Sequence, residues 1–213
     1  MTRINMAEQL DWEELSRPTR EELHLSGGLQ VEDWPHARHV VRLSAQLFTA
    51  TYPLHKLDEH ALRLLERAAL LHNTGMLIET RRHHKHSYRL IKETKLPDFN
   101  DKERHEIACI ARYHRRALPS TEHDEYAALS RSARRRVSIL SALLRVADAL
   151  DYSHDGRVQH LAAVPELCNK EQWVIALSVR PLADLDAELE HANEKADLFE
   201  KVFKWKLRFL VEE

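Results

Sequence analysis

Glycine is scarce in this chain, with 4 in 213 residues. Nucleotide-binding loops of the Rossmann and Walker kinds need glycines where the backbone approaches phosphate, and neither GxGxxG nor GxxxxGK followed by Ser or Thr occurs. A nucleotide, if one binds, is held by other means. Cysteine is scarcer still. Cys109 and Cys168 stand in different segments without paired spacing, which argues against a disulfide framework or a cysteine-ligated zinc site and predicts two buried free thiols. No run approaches the ~20 consecutive apolar residues that span a bilayer, and the opening MTRINMAEQLDWEEL has no apolar core of a secretion signal. The expected setting is the cytoplasm, without membrane contact. Nucleophile signatures are missing as well: there is no GxSxG, and neither cysteine has an activating neighbourhood.

What is present describes a folded globular chain, 43% hydrophobic and 31% charged. A chain of this size buries roughly 70% of its unfolded surface, enough for one core with a small appendage. The net charge of -2 conceals an uneven distribution. Residues 81–136 carry 15 basic against 8 acidic side chains, while the rest of the chain carries 17 against 26. Seven of the 15 histidines fall between His72 and His123. Chemistry is expected in that quarter of the chain.

Apolar spacing predicts helices for most of the length. A short amphipathic helix is expected over residues 4–16, closed by Arg17-Pro18. Asp33-Trp34-Pro35 reads as a helix start, with Asp as cap and Pro in the first turn, running to Tyr52-Pro53. Asp58 is placed to cap the next helix, which runs into His72-Asn73-Thr74-Gly75. Helices follow over residues 87–94 and 100–114, then a polar loop over 120–130 and a long buried helix over 132–149. Beyond Gly156 the period changes. Residues 158–164 and 173–179 alternate like paired strands, 182–203 reads as helix, and 206–211 alternates again as a third strand. The expected organisation is an N-terminal helix and linker (residues 1–30), a helical domain (31–156), and a small helix-backed β appendage (157–213).

Histidines and acids that begin or end different helices are what a helical bundle uses to build a metal site. The candidates are His36, His72 with Asn73, the group His83, His84 and His86, then His114, and Asp148. Imidazole and carboxylate suit divalent first-row ions. Asp148 lies among Leu143, Leu144, Val146, Ala147 and Leu150, where an unpaired acid is costly, so a metal, His or Arg partner is expected. His72-Asn73-Thr74-Gly75 also fits an ordinary helix C-terminus with Asn or Gly in the left-handed position. The other histidines (His24, His39, His55, His60, His105, His123, His154, His160 and His191) are read as surface or structural. Lys85, Arg115 and Arg116 adjoin the candidate ligands and suit a phosphate-containing small molecule or polyphosphate. A second run, Arg131 with Arg134 to Arg136, has no aromatic interleaving, and with a sequence pI near 6.7 nucleic acid is not expected.

HAxxV, LLHNTG, HHKHSYRLI, ARYHRRALP and LLRVADALDYSH together resemble the HD-type C-terminal domain of the exopolyphosphatase/guanosine pentaphosphatase family over residues 35–211. The resemblance implies a mainly α, HD-domain-like helical bundle in which His36, His72 and Asp148 hold a divalent ion, whether Mn, Fe, Mg, Zn or Ni. It also implies that His86 and His114 serve as proton donors or ligands of a second ion. Where the family motif has Asp, this chain has Asn73, whose neutral amide cannot bridge two cations as a carboxylate does, which favours one metal over two. The actin-like, glycine-rich catalytic domains of that family are not among these residues.

Two readings follow. In the first, the domain is a metal-dependent phosphohydrolase acting on a phosphate ester or anhydride by metal-activated water, with Asn73, His86 and His114 at the reaction centre and Lys85, Arg115 and Arg116 on the phosphate. In the second, it is a non-catalytic module that binds polyphosphate or nucleotide, associates with a separate phosphatase subunit, or forms a homodimer. The helical body and the apolar strand over residues 207–211 offer surfaces for the latter.

Overall fold

The structure, a computed structural model, describes residues 16–212; the helix expected over residues 4–16 lies almost wholly outside them. Among the described residues the chain is mainly α with a small sheet near its end. Helix α1 (Arg20–Leu25) opens on a capping box in which Thr19 and Glu22 satisfy each other's backbone N–H groups. Helices α2 (Trp34–Ala50) and α4 (Glu59–Leu71) start on the predicted caps: Asp33 accepts from His36 N and Asp58 from Ala61 N. Between them Tyr52–His55 forms a single turn, α3. Then come α5 (His83–Glu93), α6 (Asp101–Arg112, with a capping box on Asn100 and Glu103), α7 (Asp124–Ala127) and α8 (Arg131–Ala149). No helix among them is long and apolar enough to cross a membrane.

Helix α8 is the axle. Its Val137, Leu140, Leu143, Leu144, Val146 and Ala147 are fully buried against α2, α4 and α6 on one side and the C-terminal helices on another. Burial of each such Leu or Val contributes about 1.5–3 kcal/mol. One hydrophobic cluster runs from Val31 to Leu207. The appendage therefore shares the core of the bundle.

Strands β1 (Val158–Ala163) and β2 (Gln172–Val179) pair antiparallel, with a bulge near His160, as the alternation predicts. Strand β3 (Lys206–Glu212) joins β2 in parallel, Gln172 opposite Lys206 and Ser178 opposite Glu212. A parallel partner needs a crossover, here α9 (Asp186–Lys195) and α10 (Asp197–Phe203).

Three expectations change. The helical reading over residues 182–203 becomes two helices starting only at Asp186, because Leu182 takes a left-handed turn, φ 61°. The loop over residues 120–130 contains α7, held by buried Tyr126, whose hydroxyl meets Arg134 O and Ser138. Cys109 is buried, but Cys168 is only half-buried; both are free.

Candidate functional site

Four helix ends meet at one pocket. His36 sits in the first turn of α2, His72 at the C-cap of α4, His83 opens α5, and Asp148 lies in the last turn of α8; His114 follows α6. Helix α5 begins four residues earlier than its apolar spacing indicates, which carries His83 and His84 into its first turn. Its N-cap, Arg82, makes no capping bond, so the sequence holds no start signal. The start is fixed by packing. Gly75 of the 3-10 turn Thr74–Leu77 lies so close to α5 that a Cβ would sit 2.2 Å from His83 O and 2.5 Å from Ser87 N. The Ser87 hydroxyl donates to His72 O at 2.7 Å and accepts from Gly75 N at 2.9 Å. Neither Asn73 (φ -102°) nor Gly75 is left-handed, so the segment is not the ordinary helix C-terminus that its composition also fits.

One ligand atom each from His36, His72 and Asp148 lie within 4.8 Å of one another. Asp148 Oδ1 is 3.4 Å from His36 Nε2 and 3.2 Å from His72 Nε2. Both rings are oriented from behind. His36 Nδ1 is bonded to Asp151 Oδ2 at 2.8 Å, and His72 Nδ1 donates to Ala69 O at 2.6 Å. Each Nδ1 thus carries a proton, and each buried Nε2 is left without a hydrogen-bond partner. A carboxylate and two imidazoles turned Nε2-inward are donor types that suit a divalent cation, and Asp151 stands behind the His36 ring. Burial disfavours a charge on His36, but Asp148 and Asp151 outweigh it and raise its pKa to about 9. Burial likewise opposes the Asp148 carboxylate, yet His36 and His72 hold its pKa well below the usual range.

The row of imidazoles continues. His114 lies 5.0 Å from His72, ring centre to ring centre, and 5.1 Å from His83. Nδ1 of His83 and of His114 each face a backbone carbonyl, Thr80 O and Ala111 O, while their Nε2 atoms approach each other at 3.0 Å. Two neutral imidazoles so held point lone pair at lone pair, an arrangement that a shared cation or proton resolves. Burial lowers both pKa values, His114's strongly, which disfavours the proton.

Beside this row opens a cleft of 460 Å³ lined by Asn73, Met76, Thr80, His83, His114, Arg115, Asp148, Tyr152, His154, His191 and Lys195 among others. Of the basic residues named from sequence, only Arg115 lines it, reaching Thr80 O at 3.4 Å; Lys85 and Arg116 point to solvent. His86 is bonded to Glu79 at 3.2 Å and does not line the cleft; His83 occupies the place beside His114.

Five further residues belong to the site without having been singled out for it: Asp151, Tyr152 and Lys195 were given no role, and His154 and His191 were read as surface or structural. For Asp151 the i, i+3 spacing from Asp148 was a readable signal. His154 stacks on His36 at 3.7 Å and bonds Asp33 Oδ2 at 2.9 Å. Tyr152 stacks on His191 at 3.6 Å, and Lys195 reaches His114 O at 3.4 Å, its pKa lowered by burial. The last two come from α9, in a segment rich in acids, and nothing local signals their role.

A mainly helical domain with a His/Asp pocket at converging helix ends is the class these features define. Its family description matches over residues 24–198: Ppx/GppA phosphatase, domain III. The chain belongs to the Ppx/GppA phosphatase family. It is also 31% identical over 116 residues to a guanosine-5'-triphosphate,3'-diphosphate pyrophosphatase of Pseudoalteromonas translucida (strain TAC 125). The match takes in 52% of this chain and 23% of that protein.

Proposed function

We propose that this domain, HD-like in its site, holds a divalent metal ion on His36, His72 and Asp148 and acts as a metal-dependent phosphohydrolase on a phosphate ester or phosphoanhydride. The observation that carries the reading is the pair of orphaned, pre-oriented Nε2 atoms converging on Asp148. An ion held there supplies Lewis-acid chemistry, polarising phosphoryl oxygens and acidifying water. Arg115 and Lys195 place two cations on the cleft wall, where a phosphate's negative charge is bound and oriented. Asn73, on the same wall, offers an amide that both donates and accepts. His83 and His114, depressed in pKa by burial, stay neutral near pH 7 and are suited to accept a proton or hold a second cation. The relative's name points to a guanosine polyphosphate, a ligand of this chemistry.

The test is elemental analysis of protein purified without chelator, with His72→Ala in parallel and circular dichroism as the folding control. Stoichiometric metal in the wild type, lost in the variant, together with phosphoester or phosphoanhydride turnover that stops on chelation, is the expected result. Metal absent from both after reconstitution overturns it. A second reading, a non-catalytic phosphate-binding module serving a separate phosphatase, is favoured by Asn73 in the motif position. It predicts phosphate binding without turnover, and Asn73→Asp then separates a decayed site, which gains activity, from one that never had any.

A further inference from the structure

The sheet has two unlike edges. On β1, Leu161 N donates to Gln46 Oε1 of α2, so the helix covers that side. On the other side β3 is terminal, with no strand beyond it among the described residues. It runs seven residues, Lys206–Glu212, without proline or glycine, and presents Leu210 and Val211 to solvent, 44% and 39% exposed. Natural edges are blunted by bulges, prolines, covering elements or charged side chains; this one has no bulge, proline or covering strand, and its charges, Lys206, Arg208 and Glu212, are of both signs, so they can pair rather than only repel. Leu207 and Phe209 belong to the core side of the strand; Lys206, Arg208, Leu210 and Glu212 form the other.

We propose that β3 pairs antiparallel with β3 of a second copy, about a two-fold axis at Phe209, joining the two sheets into one of six strands. A two-fold normal to the sheet keeps both cores on one face and pairs residues of like parity. Centred on Phe209, it sets Lys206 opposite Glu212, Leu207 opposite Val211, Arg208 opposite Leu210, and Phe209 opposite itself. All seven residues engage, and both ends close with opposite charges. Centring on Arg208 puts like charges face to face, and centring on Leu210 engages only five residues. Among the described residues neither Lys206 nor Arg208 makes an ion pair. Glu212 uses Oε2 for the Ser178 hydroxyl and keeps Oε1. The strand's own charge order thus selects a second copy over an unrelated peptide.

The experiment is sedimentation velocity at micromolar concentrations on the wild type, Lys206→Glu, Glu212→Lys, and an equimolar mixture of the two variants. Residues 206 and 212 are exposed, and circular dichroism and melting confirm that each variant folds. The wild type is expected to dimerise. Each variant alone juxtaposes like charges twice, raising the dissociation constant roughly tenfold or more. The mixture pairs opposite charges at both ends and restores the dimer. A monomeric wild type, a Lys206→Glu protein that dimerises undiminished, or a mixture that fails to recover overturns the proposal.

Discussion

His36 and Asp151 are 115 positions apart in the chain and 2.8 Å apart in the structure. This bond decides which nitrogen of His36 faces the pocket. With Nδ1 held by Asp151, Nε2 points at Asp148, and its lone pair becomes available to a metal once the ring gives up its second proton. Replacing Asp151 by Asn keeps the size and removes the charge. Such outer supports are worth about 10–100-fold in metal affinity. Asp151→Asn is therefore expected to lower metal retention by that factor while the helical spectrum is kept, as read by competition with a chelating dye. Unchanged affinity would show that the carboxylate has no part in orienting the ring.

Lys195 is the cation that α9 contributes to the cleft. Lys195→Met preserves most of the aliphatic stem and deletes the charge. Phosphate affinity of the metal-loaded protein, measured by calorimetry, is expected to fall roughly tenfold or more, since a charge-assisted hydrogen bond is lost. Metal content should not change. Lys195→Arg, keeping the charge, should recover part of the loss.

The histidines are expected to give the metal-free protein a stability maximum. His36, raised to about 9 against an ordinary 6.5, binds a proton in the folded state that the unfolded chain has released, so its contribution is full below pH 6.5 and is lost as pH rises towards 9. His84, lowered by burial to about 4, and His83 and His114, lowered likewise, act oppositely. The unfolded chain takes up their protons first, and stability falls as pH drops below 6.5. The stability of the chelator-treated protein to urea is expected to peak above pH 6.5 and below 9, in the window between the ordinary histidine value and that of His36. His36→Gln should flatten the alkaline limb alone. Metal affinity follows the opposite sign through the upper window, rising as His36 gives up its proton.

Gly75 is needed for closeness rather than for a left-handed turn. A Cβ at this position meets His83 O at 2.2 Å and Ser87 N at 2.5 Å, both backbone atoms that cannot rotate away. Gly75→Ala is expected to cost roughly 1–3 kcal/mol, the usual range for overpacking, measured by urea denaturation. Because the clash pushes on the first turn of α5, metal retention and phosphate binding should fall as well. Ala at Gly28, where a Cβ would meet nothing within 4 Å, is the control, with only its φ of 82° to oppose it.

Local chemistry made much of the molecule readable. Asp33 and Asp58 cap helices because short acceptors before an apolar period do so in most contexts, and both are found doing it. Alternation in residues 158–164, 173–179 and 206–211 was enough to expect three strands. His36, His72, Asp148 and His114 were marked by type and helix-end placement, and the fold brings them together. The choice among His83, His84 and His86 was not readable, because it depends on where α5 starts, and that start is set by contact with Gly75 rather than by a cap.

The sequence by itself determined the helical character, the caps, the change of period after Gly156 and the residue types available for a site, since each of these follows from interactions within a few residues. Only the tertiary structure decided which nitrogen of each histidine faces inward, that β3 runs parallel to β2, and that Tyr152, His191 and Lys195 close the cleft. Those outcomes depend on groups as far apart as His36 and Asp151, and on a crossover whose direction no local pattern encodes. Hydrogen-bond geometry and charge act over a few ångströms in space, whatever the separation along the chain.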